Sequence, residues 1–269
     1  MPDSLPLGAL LEAPLWPWTA LALGLIVGSF ANVCIHRVPR RESVVAPPSR
    51  CPSCGTLIRP WDNVPVVSYM LLRGRCRSCA KPISARYPAV EAVNGLTYFI
   101  LAMMRGSADL SVLIEMALIT TLLVLTLIDL DHHLLPNVIT LPGIALGLLA
   151  SVLPGPPTPL ASFLSAAGAY LAFFLVAWSY ERSRGVEGLG QGDWKMAALL
   201  GAFLGWEKTL LTVFLATLSG TAAGLFMMWF HGRSGKYALP LGTFLGAAGI
   251  VVILVGEPML HWYRGFFEG

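Results

Sequence analysis

Apolar residues run along most of this chain in long blocks separated by short polar loops. A bilayer's hydrocarbon core takes about 20 apolar residues per helix. Blocks of that size predict helices at about 18–36, 88–105, 111–129, 137–153, 160–180, 193–205, 208–230 and 239–257. Breaks fall at Arg105-Gly106-Ser107, in the proline-rich stretch 154–159, in the glycine-rich stretch 185–192 and at the polar turn His231–Lys236. Only Trp206-Glu207-Lys208 separates 193–205 from 208–230, so that pair reads as one long bent helix or as two tightly joined ones. The fold class is an all-α polytopic membrane protein of about eight transmembrane helices. A small loop domain, 37–87, lies between helices one and two.

Composition agrees: 55% of residues are hydrophobic and only 12% charged, against about 25% charged in an average soluble domain. Charge then orients the helices. The first 36 residues carry Asp3 and Glu12 but no Lys or Arg, and the first basic residue, Arg37, follows the apolar run Ala20–Ile35. A signal peptide has a positively charged start, so this segment reads as a retained helix with its N-terminus outside. An eight-helix arrangement then puts Arg37 through Arg86, Arg182, Arg184, Lys195, Arg233 and Lys236 inside, 15 of the 18 basic residues. Only Arg105, Lys208 and Arg264 remain outside, which is the asymmetry that the positive-inside rule expects. Both termini are therefore expected outside. Ten of the basic residues lie in 37–87 beside only Glu42 and Asp62. Next to membrane helices such a patch fits anionic headgroups, and no nucleic-acid partner is expected. Small residues four apart, as in Gly24/Gly28, Gly201/Gly205, Gly220/Gly224 and Gly242/Gly246, are expected to allow close helix contact.

Two Cys-x-x-Cys pairs, Cys51/Cys54 and Cys76/Cys79, fall in the basic loop. Four thiolates at this spacing suit tetrahedral zinc, each pair giving two ligands. The loop has too few apolar residues for a core, so a structural metal would supply its folding free energy. Disulfides fit poorly in a loop expected on the reducing, cytoplasmic side. Cys34, inside the first helix, reads as a packing residue.

Carboxylates at the membrane edge are few. Asp129 and Asp131 close the third helix in Asp129-Leu130-Asp131-His132-His133, and Asp193 opens the sixth in Gly190-Gln191-Gly192-Asp193-Trp194-Lys195. An acid at this depth costs roughly 2.5–3.5 kcal/mol on insertion scales, so it points to function, although Asp193 would also serve as a plain helix cap. The topology puts both helix ends on the cytoplasmic side. Two carboxylates brought close share a proton, so one can activate water while the other protonates a leaving amine. A two-residue step turns a helix by about 200°, so either Asp129 or Asp131 can meet Asp193, not both. A metal hydrolase using Asp129, His132 and His133 lacks any H-E-x-x-H. A transporter with an acidic proton relay would keep its acids near the midplane. A non-enzymatic assembly factor would tolerate loss of either Asp.

Four ordered motifs resemble those of the type IV prepilin leader peptidases, bacterial GxGD aspartyl proteases. Gly28-Ser29-Phe30-Ala31-Asn32-Val33 with His36-Arg37-Val38-Pro39 looks like their N-terminal signature, at 28–40, and the cysteine pairs match their zinc loop. Asp129, seven residues before Pro136, matches the first catalytic Asp, and Gly190-x-Gly192-Asp193-x-Lys195 matches the motif of the second. The resemblance covers nearly the whole chain and implies a multi-pass enzyme of the bacterial inner membrane. By that resemblance, residues 1–36 are the first helix, 37–87 the zinc loop and 88–269 the protease domain. The substrates would be prepilins or pseudopilins, cut at the cytoplasmic face before their apolar helix. The resemblance also implies methylation of the new N-terminus with S-adenosylmethionine, associated with the N-terminal region and basic loop. Peptidase activity alone is the alternative. Glu91, at the start of the second helix, is a candidate contributor to the methyl-donor site and equally a charged interfacial residue. Gly190, Gly192 and Lys195 are candidates for supporting the dyad or the substrate.

Overall fold

The computed structural model describes residues 15–155, 157–186, 188–231 and 240–268. Asp3, Glu12, Arg233 and Lys236 lie outside them, as does most of the expected polar turn. Among the described residues there is no strand, only two isolated bridges, Arg50 with Leu57 and Arg75 with Pro82. The helices are α1 (Trp16–Arg37), α2 (Val67–Leu71), α3 (Arg86–Arg105), α4 (Leu110–His132), α5 (Asn137–Ala150), α6 (Pro159–Arg184), α7 (Gln191–His231) and α8 (Leu241–Glu268). Among the described residues five segments are long and apolar enough to cross a membrane: Trp16–Arg40, Leu110–His132, Pro159–Arg184, Gln191–Phe230 and Leu241–Phe266.

The helices end where the sequence changes character. Gly106 and Gly185 take left-handed conformations just past α3 and α6, the usual helix stop. Thr158 caps α6 through its hydroxyl, with Pro159 in the first turn. The 193–205 and 208–230 segments are two tightly joined helices, numbered together as α7, that meet in a kink at the non-helical Gly205 (φ 74°, ψ 177°). An unbroken run of 41 residues would extend about 60 Å, twice the hydrocarbon thickness. Only glycine adopts that backbone without penalty, so Gly205 marks where the run changes direction. At the other end of the chain, α8 runs on to Glu268, past the expected limit of 257 and through Pro258.

The chain packs as two compact units, 1–120 and 121–269. In the first, α1 lies along α3 with Gly24 against the backbone of Gly95 and Gly28 against that of Glu91. Polar groups hold this contact from inside. Asn94 donates to the Gly24 carbonyl at 2.8 Å and accepts from Thr120 at 2.9 Å, and Tyr98 meets the same Thr120 hydroxyl at 2.8 Å. Meanwhile Ile26, Phe30, Leu96 and Met103 face outward, the inverse of a soluble protein and the arrangement that lipid requires.

In the second unit the arm of α7 before Gly205 is enclosed: Met196, Ala197, Leu199, Leu200 and Ala202 are all fully buried. A helix that is apolar on every side belongs at the centre. The arm after Gly205 presents Leu210, Phe214, Leu218 and Trp229 outward. The three basic residues expected outside are each paired with an acid: Arg105 with Glu115 at 2.9 Å, Lys208 with Glu257 at 2.8 Å, and Arg264 with Glu207.

Candidate active site and metal centre

The cysteine loop is built from two copies of one turn. Cys51 N–H donates to Thr56 O and Gly55 N–H to Cys51 O. In the second copy Cys76 N–H donates to Lys81 O and Ala80 N–H to Cys76 O, all four at 2.9 Å. Both turns need a left-handed residue after the second cysteine, supplied by Gly55 (φ 70°) and Ala80 (φ 55°). The four sulfurs all lie within 4.8 Å of one another. Hydrogen bonds from Thr56 hold the Cys54 thiol down at about 6. The Lys81 amide favours the Cys79 thiolate, yet burial and the three neighbouring sulfurs outweigh it and push that thiol up to about 11. Four thiolates this close repel, and a divalent cation supplies the compensating charge, so this cluster could hold a metal such as zinc. Arg77 clamps Asp62 with two bonds from Nε and one from Nη2, the shortest 2.6 Å. This ties the second turn to the Pro60–Asn63 helical turn and holds the Asp62 carboxyl below its usual range.

Glu91 is buried in the first unit, where its Oε2 accepts the Val66 amide at 2.8 Å. In the structure this carboxylate ties the loop to α3.

The aspartates lie in the second unit. α4 continues to His132, and on it Asp129 is buried at 5% exposure while Asp131 is exposed, as are His132 and His133. That resolves the two-way choice left by the spacing: Asp129 is the residue turned inward. Asp193 stands in the first turn of α7, close enough for the charge of Asp129 to act on it. The Gly190 amide faces the Asp193 carboxylate, one half of a capping box, so Asp193 is both a helix cap and a neighbour of Asp129. Lys195 instead donates to Asn137 Oδ1 at 2.8 Å, linking the first turns of α7 and α5. A cleft of about 250 Å³ between the end of α6 and the start of α7 is lined by Ala177, Glu181, Gly188, Leu189, Gln191 and Trp194, and neither aspartate lines it.

The first turn of α8 completes the site, and nothing in the sequence motifs pointed to it. Thr243 donates to Asp129 Oδ2 twice, from its amide at 2.7 Å and from its hydroxyl at 3.1 Å. The preceding amide, Gly242, faces Asp193. Two consecutive amides at a helix N-terminus thus serve one carboxylate each, with the positive end of the helix dipole behind them. Gly242 has no room for a side chain: a Cβ there would lie 2.9 Å from Asp129 Oδ2 and 2.8 Å from Leu135 Cδ1. Gly192 is confined by the same Leu135, at 2.8 Å. The weak sequence signal is Gly242 itself, whose spacing from Gly246 suggests helix packing but whose missing side chain makes room for Asp129.

The sequence matches the family described as bacterial peptidase A24 N-terminal domain over residues 22–105, and the type IV leader peptidase family over 116–225. It is 38% identical to a prepilin leader peptidase/N-methyltransferase of Pseudomonas putida, over 88% of this chain and 90% of that protein. Proteins of the same description from Burkholderia pseudomallei strain K96243 and Pseudomonas aeruginosa are 37% and 36% identical, covering 89% and 91% of this chain and 85% and 92% of theirs. The chain belongs to the type IV leader peptidase family. No solved structure matches it. Of the two family matches, the first contains the cysteine cluster and Glu91, and the second contains Asp129, Asp193 and Lys195. Gly242 and Thr243 lie beyond the end of the second at residue 225.

Proposed function

We propose that this protein is an aspartic endopeptidase of the bacterial inner membrane that removes the leader peptide of prepilins or pseudopilins and methylates the new N-terminus. The observation that carries the peptidase reading is the meeting of Asp129 and Asp193 at three helix ends, in a chain of this family. One carboxylate takes a proton from water as its oxygen attacks the scissile carbonyl, and the other, protonated, donates to the carbonyl oxygen. When the tetrahedral species collapses, the C–N bond breaks and the amine leaves with a proton. Gly190 and Gly242 hold Asp193, Thr243 holds Asp129, and Gly192 keeps the turn slim beside Leu135. Lys195 braces that turn through Asn137.

Cys51, Cys54, Cys76 and Cys79 would hold structural zinc, whose role is to fold the loop; four protein ligands leave no open position for catalysis. The methyl donor is S-adenosylmethionine, and the first unit, with its signature at 28–40, its basic loop and Glu91, is where that activity is assigned. The domain reading is a first helix to 36, the zinc loop 37–87 and the peptidase region 88–269. Counting α7 as two spans divided at Gly205, and adding α3 and α5 to the other four long apolar helices, gives eight crossings. That arrangement keeps both termini outside and the zinc loop and aspartates on the cytoplasmic side. The neutralising acids beside Arg105, Lys208 and Arg264 support it, because the outer face then carries little unpaired positive charge.

The test is cleavage of a detergent-solubilised prepilin-like substrate by wild type, Asp129→Asn and Asp193→Asn with S-adenosylmethionine present, recording product mass. Loss of cleavage in both variants and a methyl increment on the wild-type product are the expected results. Processing by either variant would remove the dyad, and an unmethylated product would leave a peptidase alone.

A further inference from the structure

The cysteine loop has an element turned inside out. In α2 (Val67–Leu71), Val67, Met70 and Leu71 share one face, by their i, i+3, i+4 spacing, and are 50%, 71% and 79% exposed. The polar Ser68 points inward, 6% exposed, donating to the Trp61 carbonyl at 2.9 Å. Trp61 and Val64, a few residues before α2, are exposed as well, at 62% and 45%. The exposed Arg59, Arg73 and Arg75 flank this segment along the chain, with the Arg59 guanidinium 5.7 Å from the centre of the Trp61 ring. A soluble module would bury these apolar residues and expose the serine.

The depth of this face is fixed by a bond. Val66 forms a tight turn at positive φ (60°), with Val67 N–H bonded to Pro65 O at 2.6 Å, a strained geometry for a β-branched residue. Its amide is held by Glu91, and Glu91 itself lies against Gly28 of α1. By helix rise, Gly28 is about 13 Å inward of the basic end of α1 at Arg37. The segment carrying α2 is therefore anchored at the level of the membrane helices rather than held out in the cytosol.

We propose that α2 and Trp61 form an interfacial anchor, their apolar face seated in the headgroup region of an anionic bilayer with Arg59, Arg73 and Arg75 on its phosphates. Arg and Trp around a small apolar face suit that surface, and each basic residue there adds about 1 kcal/mol of attraction to anionic lipid. The inference concerns the lipid surface and does not depend on the peptidase reading.

The test uses the full-length, metal-loaded protein in nanodiscs of phosphatidylethanolamine and phosphatidylglycerol, with Trp61's emission isolated as wild type minus Trp61→Phe. Lipids brominated high on the acyl chain should remove about half of that emission, as for a ring ~5–10 Å into the boundary; lipids brominated near the chain end should remove less. Met70→Asp with Leu71→Asp should abolish the quenching while metal content stays at the wild-type value. Replacing phosphatidylglycerol with phosphatidylcholine should weaken it. Trp61 emission that no brominated lipid quenches would overturn the anchor, and a response only to an added apolar helical peptide would make the face a peptide surface instead. Quenching indifferent to anionic lipid would remove the role of the arginines.

Discussion

The cysteine cluster and the aspartate pair gather charge-bearing ligands in opposite ways. Each half of the cysteine cluster is closed by hydrogen bonds within six residues of chain, and the same turn is written twice, at Cys51–Thr56 and Cys76–Lys81. The aspartate pair has local closure only at Asp193, from the Gly190 amide three residues before it. Asp129 is completed by Thr243, 114 positions away, and Asp193 by the neighbouring amide of the same helix. A local site can form as soon as its turns and ion are present. A dispersed one exists only after α4, α7 and α8 have packed. Damage to the first should therefore stay within the loop, whereas damage to the second should reach the reaction.

The largest effect that would break this comparison is at the carboxylates. Asp129→Asn or Asp193→Asn should each lower the cleavage rate by about 10³-fold or more, from the middle of the range that one acid–base role contributes upward. Protein level in the membrane and metal content should be unchanged. A variant that loses metal as well would mean the two regions are not separable.

Next comes the support that joins the helices. Thr243→Val keeps shape and amide but removes the hydroxyl from Asp129. A hydrogen bond to a charged group is worth about 1.5–3 kcal/mol, so kcat should fall by about tenfold or more while KM holds. The sign for pH follows from what the bond stabilises. The hydroxyl donates to the ionised carboxylate, so without it the anion is less favoured, and the acid limb of the pH–rate profile should move to higher pH. Thr243→Ser should restore both rate and profile. Loss of rate with an unmoved profile would reduce Thr243 to packing.

That support also marks where the sequence stopped being readable. The cysteine spacing announced a four-sulfur cluster that could hold a metal because its geometry is a property of short turns. The apolar blocks announced most of the helices because hydrocarbon thickness sets their length. Asp193 and its glycines could be found by motif, but the choice between Asp129 and Asp131 needed the rotation of α4 against its neighbours. Thr243 was illegible: a threonine in an apolar run carries no signal until α8 is set beside α4. Gly205 was ambiguous for a related reason. A short polar connection fits a bend or a break equally, and only the backbone conformation decides. The outward face of α2 carries no sequence signal of its own, because five residues are too few to show a periodicity and the loop has too few apolar residues for a core.

A smaller effect is expected from the metal. Chelation, or Cys76→Ser, should release the ion and make the loop 50–83 sensitive to protease, since binding and folding of such a site are one free energy. Cleavage should fall by less than in Thr243→Val, because Gly190, Gly242 and Thr243, which support the aspartates, all belong to the second unit. If chelation stopped cleavage outright, the loop would have to be counted as part of the catalytic apparatus.

The two cysteine turns allow the finest measurement, because they differ at one position. Gly55 and Ala80 occupy the same left-handed site, where a Cβ costs roughly 1–2 kcal/mol. Glycine avoids that cost but gives back roughly 0.5–1 kcal/mol in chain entropy. Ala80→Gly should therefore stabilise the loop by about 0.5–1 kcal/mol, and Gly55→Ala should destabilise it by a similar amount. Apart from its chain neighbours, no heavy atom lies within 4 Å of a Cβ built at Gly55, so that substitution reads backbone conformation. Because metal binding and loop folding are linked, the change appears as a ratio of metal affinities in a chelator competition, about two- to fivefold in each direction. Equal and opposite shifts would establish the two turns as one device used twice. A shift at Gly55 with none at Ala80 would mean that the second turn, with Arg77 clamped to Asp62 beside it, is held by that ion pair rather than by its own backbone.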